Sequence, residues 1–166
     1  PEGAWADGMR WRGVIDTVKA PDRDYGRGLQ PTEEQTAELA RIQVRQLRMD
    51  QPTITGGRRA FEIWKENPSD AVICYNDLAA IGFIKGAQAH GMRVPDDVKV
   101  IGFDNTEMTV VNSPTLTTVA GPLRTVGRVA AANLIALIEG MNVPLSKPRR
   151  LPTRLIVRES TGPVIS

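Results

Sequence analysis

Two short apolar segments separated by a helical pattern constrain the fold more than any other feature of this sequence. The segments are residues 71–75 and 98–103, and the apolar positions between them recur at helical spacing up to a glycine stop at Gly91. A strand–helix–strand unit of about 30 residues predicts two parallel strands with a right-handed crossover. The unbroken apolar run at 71–75 further predicts a strand that is buried on both faces.

Other elements are predicted on both sides of this unit. In chain order they are a helix before Ala20, a helix that Thr32 and Gln35 begin as a capping box and that ends near Leu39, a helix from Thr53 or Thr55 to about Asn67, a helix from Pro122 to Glu139 and a strand over Leu155–Val157. The stretch 42–47 either continues a helix or forms a strand. The alternation of Ile42 and Val44 favours the strand.

Composition and charge exclude several classes of protein. The chain has 166 residues, which suits one domain with a real core. Its net charge of +2 gives no electrostatic footprint for nucleic acid or a membrane surface. No apolar run approaches the roughly 20 residues of a membrane span, so no membrane partner is expected.

The residue types that carry catalysis or bind metals are scarce. The single Cys74 lies in the apolar run, where a small buried hydrophobe is the better interpretation, and the single His90 stands at a helix end, where it can cap carbonyls. No nucleophile–base motif, zinc motif or phosphate-binding loop occurs. We therefore expect no metal and no cofactor, and an enzyme is the least favoured function.

Polar side chains follow both strands of the predicted unit. Asn76 and Asp77 follow the first strand, and Asp104 and Asn105 follow the second. Ligands bind beyond the carboxyl ends of the strands in open parallel sheets, and this donor and acceptor set suits a hydroxyl-rich ligand such as a sugar or nucleoside. Asp77 and Asn105 are better explained as cap or turn residues, whereas Asn76 and Asp104 fit either role.

The segments "AVICYNDLAAIGFIKGAQAHGMRVPDDVKVIGFDN", "SPTLTTV", "GRVAAANLIALIEG" and "LIVRES" together resemble the effector-binding core of the lactose/galactose repressor (LacI/GalR) family. The similarity covers roughly residues 70–162, with shorter similarity in "GMRWRGV" and "TGGRRAFEIW". The resemblance implies an α/β fold like that of periplasmic binding proteins, with a parallel sheet flanked by helices and an effector between two subdomains.

The same resemblance implies four ligand-binding residues. Asp104 matches the aspartate that binds effector hydroxyls, and Asn76 matches a polar residue that faces the cleft. Arg10 matches a cleft arginine, and Gln51 falls near another ligand contact.

The resemblance also predicts the domain organisation. Residues 1–119 and 153–166 would form the C-terminal subdomain, and residues 120–152 would belong to a largely absent N-terminal subdomain. The apolar stripe of the helix at 122–140 would then lack its usual cover. The DNA-binding domain of the family is absent from this sequence.

The expected function is that of an effector-sensing, dimerising domain of a bacterial cytoplasmic repressor, with a small carbohydrate-like effector. Operator DNA would be bound only through the missing N-terminal domain. By the same resemblance, the exposed side of the helix that carries Ile81 and Ile84 is the predicted dimer surface, with packing of both residues on the sheet as the alternative. A periplasmic sugar-binding receptor of a transport system is the alternative.

Overall fold

A computed structural model describes residues 5–20, 32–141 and 152–162, with side chains from Gly8 onward. The chain divides into two compact units, residues 1–52 and residues 53–166.

The first unit contains two helices, α1 (Trp5–Lys19) and α2 (Glu33–Leu39). The predicted capping box of α2 is confirmed, because the Thr32 hydroxyl accepts from the Gln35 amide and the Gln35 side chain accepts from the Thr32 amide. The strand favoured for 42–47 is wrong, since these residues form neither helix nor strand. A short alternating segment needs a neighbouring strand to stabilise it, and none of the described strands pairs with this one.

The second unit contains the predicted strand–helix–strand pattern and the elements around it. Its elements are α3 (Ile54–Trp64), β1 (Ala71–Ile73), α4 (Asp77–Ala89), β2 (Lys99–Phe103), α5 (Met108–Val111), β3 (Thr117–Ala120), α6 (Leu123–Ile138), β4 (Arg154–Ile156) and a 3-10 helix (Glu159–Thr161). The predicted caps are found where local sequence placed them. Thr53 and Asn76 begin α3 and α4, and Gly91 and Gly140 have positive φ just beyond α4 and α6.

The described sheet has four strands in the order β1-β2-β3-β4. The β1–β2 and β2–β3 pairs are parallel, with Ile73 opposite Ile101 and Ile101 opposite Thr117. The last strand pairs antiparallel with β3. The α/β class and the parallel pairing of the two apolar strands are therefore confirmed.

Burial of the first apolar strand differs from the prediction. β1 lies at the edge of the described sheet, and Ile73 is 50% exposed. In β2 burial alternates, with Val100 and Gly102 buried and Ile101 half-buried. The prediction of burial on both faces was wrong because the face of β1 that carries Ala71 and Ile73 is exposed, and an apolar run does not specify how many faces are covered.

An aromatic cluster forms the centre of the core. The Phe61, Trp64 and Phe83 rings lie with their centroids 5.2–5.7 Å apart, and the Trp64 indole donates to the Ser69 hydroxyl. Such pairs contribute about 0.5–1.5 kcal/mol beyond the area they bury. His90 caps α4 as expected, with Nδ1 3.0 Å from the Gly86 carbonyl oxygen.

Two glycines allow α3 and α4 to cross at close range. A Cβ on Gly57 would overlap the Ala79 carbonyl on α4, and a Cβ on Gly82 would overlap the Ile54 carbonyl on α3. Each helix therefore needs a residue without a side chain where the other passes.

Ile81 and Ile84 do not form an exposed surface. Their side chains are 4% and 0% exposed, because both point into the core of the second unit. The prediction that they lie on an open dimer surface was wrong, since apolar residues at helical spacing cannot be assigned to a core or to an interface by pattern alone.

α6 carries the exposed apolar stripe that the sequence led us to expect. None of its residues is buried, and Leu134, Ile135 and Ile138 are 59%, 55% and 77% exposed. The assignment of 120–152 to a second subdomain remains a prediction. No helix in the described ranges is long and apolar enough to cross a membrane.

Candidate functional site

The structure brings Asn76 and Asp104 to the same edge of the parallel sheet. Ile73 pairs with Ile101, and each of the two polar residues stands three positions beyond its member of that pair. The ladder continues for one more residue, because the Cys74 amide donates to the Ile101 carbonyl at 2.8 Å. The two strand ends are therefore held at the same level, as the pattern predicted.

Asn76 is the N-cap of α4 as well as a candidate ligand residue. Its Oδ1 accepts from the Ala79 amide at 2.9 Å, and the residue is half-buried. The cap uses the carbonyl oxygen of the amide side chain. The same side chain also carries an NH2 group, which is a donor.

Asp104 and Asn105 form a turn with positive φ at both positions, 101° and 53°. Non-glycine residues rarely adopt such angles, and persistent outliers of this kind cluster at binding sites. The Asp104 amide donates to the Val119 carbonyl at 3.0 Å, and the residue is exposed. Asn105, which the sequence assigned to a turn, indeed lies in one.

Asp77 holds this turn from inside the protein. Its carboxylate is fully buried and accepts from the Thr118 hydroxyl at 2.6 Å and from the Thr106 amide at 2.7 Å. A Cβ on Gly102 would overlap Asp77 Oδ1, so the glycine in β2 makes room for the carboxylate. Sequence reasoning assigned Asp77 to a cap or turn and missed this network. Gly102, in the neighbouring strand, was the available signal.

Arg158 holds the same turn from the other side. It follows β4, and its guanidinium donates from Nη1 to the Leu116 carbonyl at 2.7 Å and from Nη2 to Asn105 Oδ1 at 3.0 Å. The Asn105 amide in turn donates to the Thr118 hydroxyl at 3.3 Å. Sequence reasoning did not single out this arginine.

The residues after Arg158 fasten the end of the described chain to the sheet. The buried Ser160 hydroxyl donates to the Val100 carbonyl at 2.6 Å and accepts from the Thr117 amide at 2.8 Å. Glu159 accepts from the backbone amide and the hydroxyl of Thr115, and these bonds hold the pKa of its carboxyl below the ordinary value. The residues of the motif "RES" thus form hydrogen bonds that join the C-terminal strand to β2 and β3.

Arg10 and Gln51 belong to the first unit, whereas Asn76 and Asp104 belong to the second. Arg10 is half-buried on α1, and Gln51 is exposed outside any helix or strand. Their membership of the ligand site therefore remains a prediction.

The chemistry of this edge is that of hydrogen bonding. Burial raises the pKa of the Cys74 thiol to about 12, so the thiolate that a nucleophile would need is scarce at neutral pH. In the part of the chain with described coordinates, no group of three or more His, Cys, Asp or Glu residues is placed to hold a metal ion.

A broad depression of about 620 Å³ lies at the opposite end of the sheet, between the loop at 91–95, Ser113 and Glu159. It is open and contains no buried charged side chain among its lining residues. Because it lies at the amino end of β2, it is separate from the edge that carries Asp104.

The fold and this edge define a class of protein. The family model of the periplasmic binding protein-like domain matches residues 4–161, and the chain belongs to this family.

The relatives that it matches are bacterial transcription regulators. The chain is 39% identical over 94 residues to the HTH-type transcriptional repressor CytR of Escherichia coli (strain K12). These 94 residues are 57% of this chain and 27% of that protein.

Solved structures give the same result. A LacI family transcriptional regulator from Arthrobacter sp. FB24 in complex with lactose is 40% identical, with a TM-score of 0.58 over 66% of this chain and 42% of that one. The lac repressor dimer bound to operator and the anti-inducer ONPF is 26% identical, with a TM-score of 0.61 over 67% of this chain and 34% of that one. The chain thus spans less than half of each of these proteins.

Proposed function

We propose that this chain is part of the effector-binding domain of a LacI-type transcription regulator, and that it binds a sugar or nucleoside at the edge formed by Asn76 and Asp104. The observation that carries the proposal is the register of β1 and β2. It places the Asn76 cap of α4 and the turn at Asp104 at the same level of the sheet edge. The lactose complex of the Arthrobacter regulator supports a carbohydrate as the effector class. The regulators among the relatives favour this function over periplasmic transport and over catalysis.

In this proposal Asp104 accepts hydrogen bonds from ligand hydroxyls, and the Asn76 amide donates one. Arg10 is proposed to supply a forked donor and Gln51 a further polar contact. Residues 120–152 are proposed to pass into the second subdomain, and their exit and return beside each other at Ala120 and Arg154 support this assignment.

Calorimetric titration of the full-length protein with lactose, ribose and cytidine tests the ligand site. Asp104→Ala should weaken the binding of whichever compound binds by about tenfold or more, since a charged hydrogen bond contributes about 1.5–3 kcal/mol. Asp96→Ala is the matched control, because Asp96 is exposed in the turn before β2, at the other end of that strand. Binding that is unchanged in Asp104→Ala, or no binding of any of the three, would contradict the proposal.

We further infer that the whole protein is a cytoplasmic homodimer that contacts operator DNA through a separate DNA-binding domain. The lac repressor dimer on its operator supports this inference. Sedimentation velocity of the full-length protein tests this inference, and a monomer would contradict it.

A further inference from the structure

We propose that Arg158 is a positioning residue for the ligand site, which it serves by fixing the turn that presents Asp104. This inference rests on the proposed function, because it concerns the orientation of the same carboxylate. Arg158 would not touch the ligand. It would act through Asn105, the residue next to Asp104.

The contact that carries the proposal joins three distant parts of the sequence. One guanidinium nitrogen of Arg158 donates to the carbonyl of Leu116, a residue that is 0% exposed just before β3. The other donates to the Asn105 side chain, 53 residues away in sequence. A planar guanidinium can make two such bonds from one rigid group, whereas a lysine ammonium on a flexible stem cannot reproduce the fork.

The turn needs external support because its own backbone is unfavourable. Asp104 and Asn105 both have positive φ, at 101° and 53°, and neither is glycine. Such a conformation persists only where the surroundings determine it. Three backbone amides hold the turn, from Asp104 to the Val119 carbonyl, from Asn105 to the Thr118 hydroxyl and from Thr106 to Asp77. The Arg158 bond to Asn105 Oδ1 holds the turn through a side chain as well.

Arg158 is also held to the sheet through its main chain. Its backbone amide donates to the Thr117 hydroxyl at 2.8 Å, so the main chain at Arg158 is fastened to β3 independently of the guanidinium. Replacement of the side chain therefore leaves the C-terminal strand in place. A substitution should act on the turn, on the Leu116 carbonyl that loses its donor just before β3, and through the turn on the ligand affinity.

The test compares Arg158→Met, Arg158→Lys and Asn105→Asp in the full-length protein, with Arg154→Met as the control at an exposed arginine on β4. Two quantities are measured. One is the hydrogen-exchange rate of the Asn105 and Thr106 amides without ligand, with the Val100 amide as reference. The other is the dissociation constant for lactose.

Arg158→Met should accelerate exchange at Asn105 and Thr106 by about tenfold without changing Val100, and should weaken lactose binding by a similar factor. Arg158→Lys should give a smaller effect of the same kind. Asn105→Asp keeps an acceptor oxygen for the guanidinium and should stay within about threefold of wild type in exchange. Arg154→Met should match wild type in both measurements.

Unchanged exchange at the two turn amides in Arg158→Met would overturn the proposal, whether or not lactose binds. Equal acceleration at Val100 would also overturn it, because Arg158 would then act only on global stability. Faster exchange with unchanged lactose affinity would show that the turn is held but that the ligand does not depend on it, which is also contrary to the proposal. If wild type binds no lactose, the affinity is measured with whichever of ribose and cytidine binds, and the exchange measurement decides independently whether Arg158 fixes the turn.

Discussion

Replacement of the buried Asp77 should cause a large and graded loss of stability. Its two oxygens accept from two donors, the buried Thr118 hydroxyl at 2.6 Å and the Thr106 amide at 2.7 Å. A hydrogen bond to a charged group contributes about 1.5–3 kcal/mol, and a buried donor left without a partner carries its full desolvation penalty. Asp77→Ala should therefore lower the free energy of unfolding by about 3–5 kcal/mol.

Asp77→Asn separates the charge from the shape of this side chain. Asparagine keeps one acceptor oxygen but places an NH2 group against one of the two donors, so its loss should be about 1–3 kcal/mol. Thr118→Val removes the hydroxyl partner instead, and the double variant with Asp77→Ala should lose less than the sum of the single variants because the two groups are in direct contact.

Urea unfolding followed by tryptophan fluorescence measures these differences, since Trp64 lies in the core of the same unit. Asp96→Ala is the control, with an exposed carboxylate and an expected change within about 0.5 kcal/mol. A loss below about 1 kcal/mol in Asp77→Ala would refute the reasoning, because both donors would then have found other partners.

Three further predictions concern packing, acid sensitivity and thiol reactivity. Gly82→Ala should destabilise the protein by about 1–3 kcal/mol in urea unfolding, because its Cβ would meet the backbone of α3. Gly127→Ala on α6, with open space around it, should be neutral or stabilising. Equal effects of the two substitutions would contradict the close crossing of α3 and α4. Hydrogen bonds from Thr115 lower the folded-state pKa of Glu159, so its contribution to stability is fully present above the ordinary value of 4.5 and is lost as pH falls through the lowered pKa. In thermal melts over acidic pH, the melting temperature of Glu159→Gln should therefore fall less steeply than that of wild type. Identical slopes would refute this prediction. The Cys74 thiol, with a pKa raised to about 12, should react slowly with a disulfide reagent in the native protein and rapidly in urea, and fast native labelling would show that the site is open.

Features that depend on neighbouring residues in sequence were predictable. The capping box at Thr32, the caps at Thr53 and Asn76 and the glycine stops after α4 and α6 all follow from local hydrogen bonding and backbone freedom, and all are present. The meeting of Asn76 and Asp104 at one edge was also predictable, because parallel strands of a single strand–helix–strand unit must end on the same side.

Features that depend on distant partners were not predictable. The exposure of Ile73 depends on which faces of β1 other elements cover, which the strand itself does not encode. Ile81 and Ile84 show the same ambiguity, since an apolar helix position can face a core or a partner. The Asp77–Thr118 and Arg158–Asn105 bonds span 41 and 53 residues, and neither residue pair stands out from its own segment.

The antiparallel pairing of β4 with β3 has a topological consequence. Ala120 and Arg154 are opposite one another, so the chain leaves the sheet and returns to it through two points only one strand spacing apart, about 5 Å. The link between β3 and β4, of which residues 121–141 are described, therefore begins and ends at neighbouring positions of the sheet. A two-residue turn can join antiparallel strands at this spacing, so the link can be replaced without cutting a strand of the sheet.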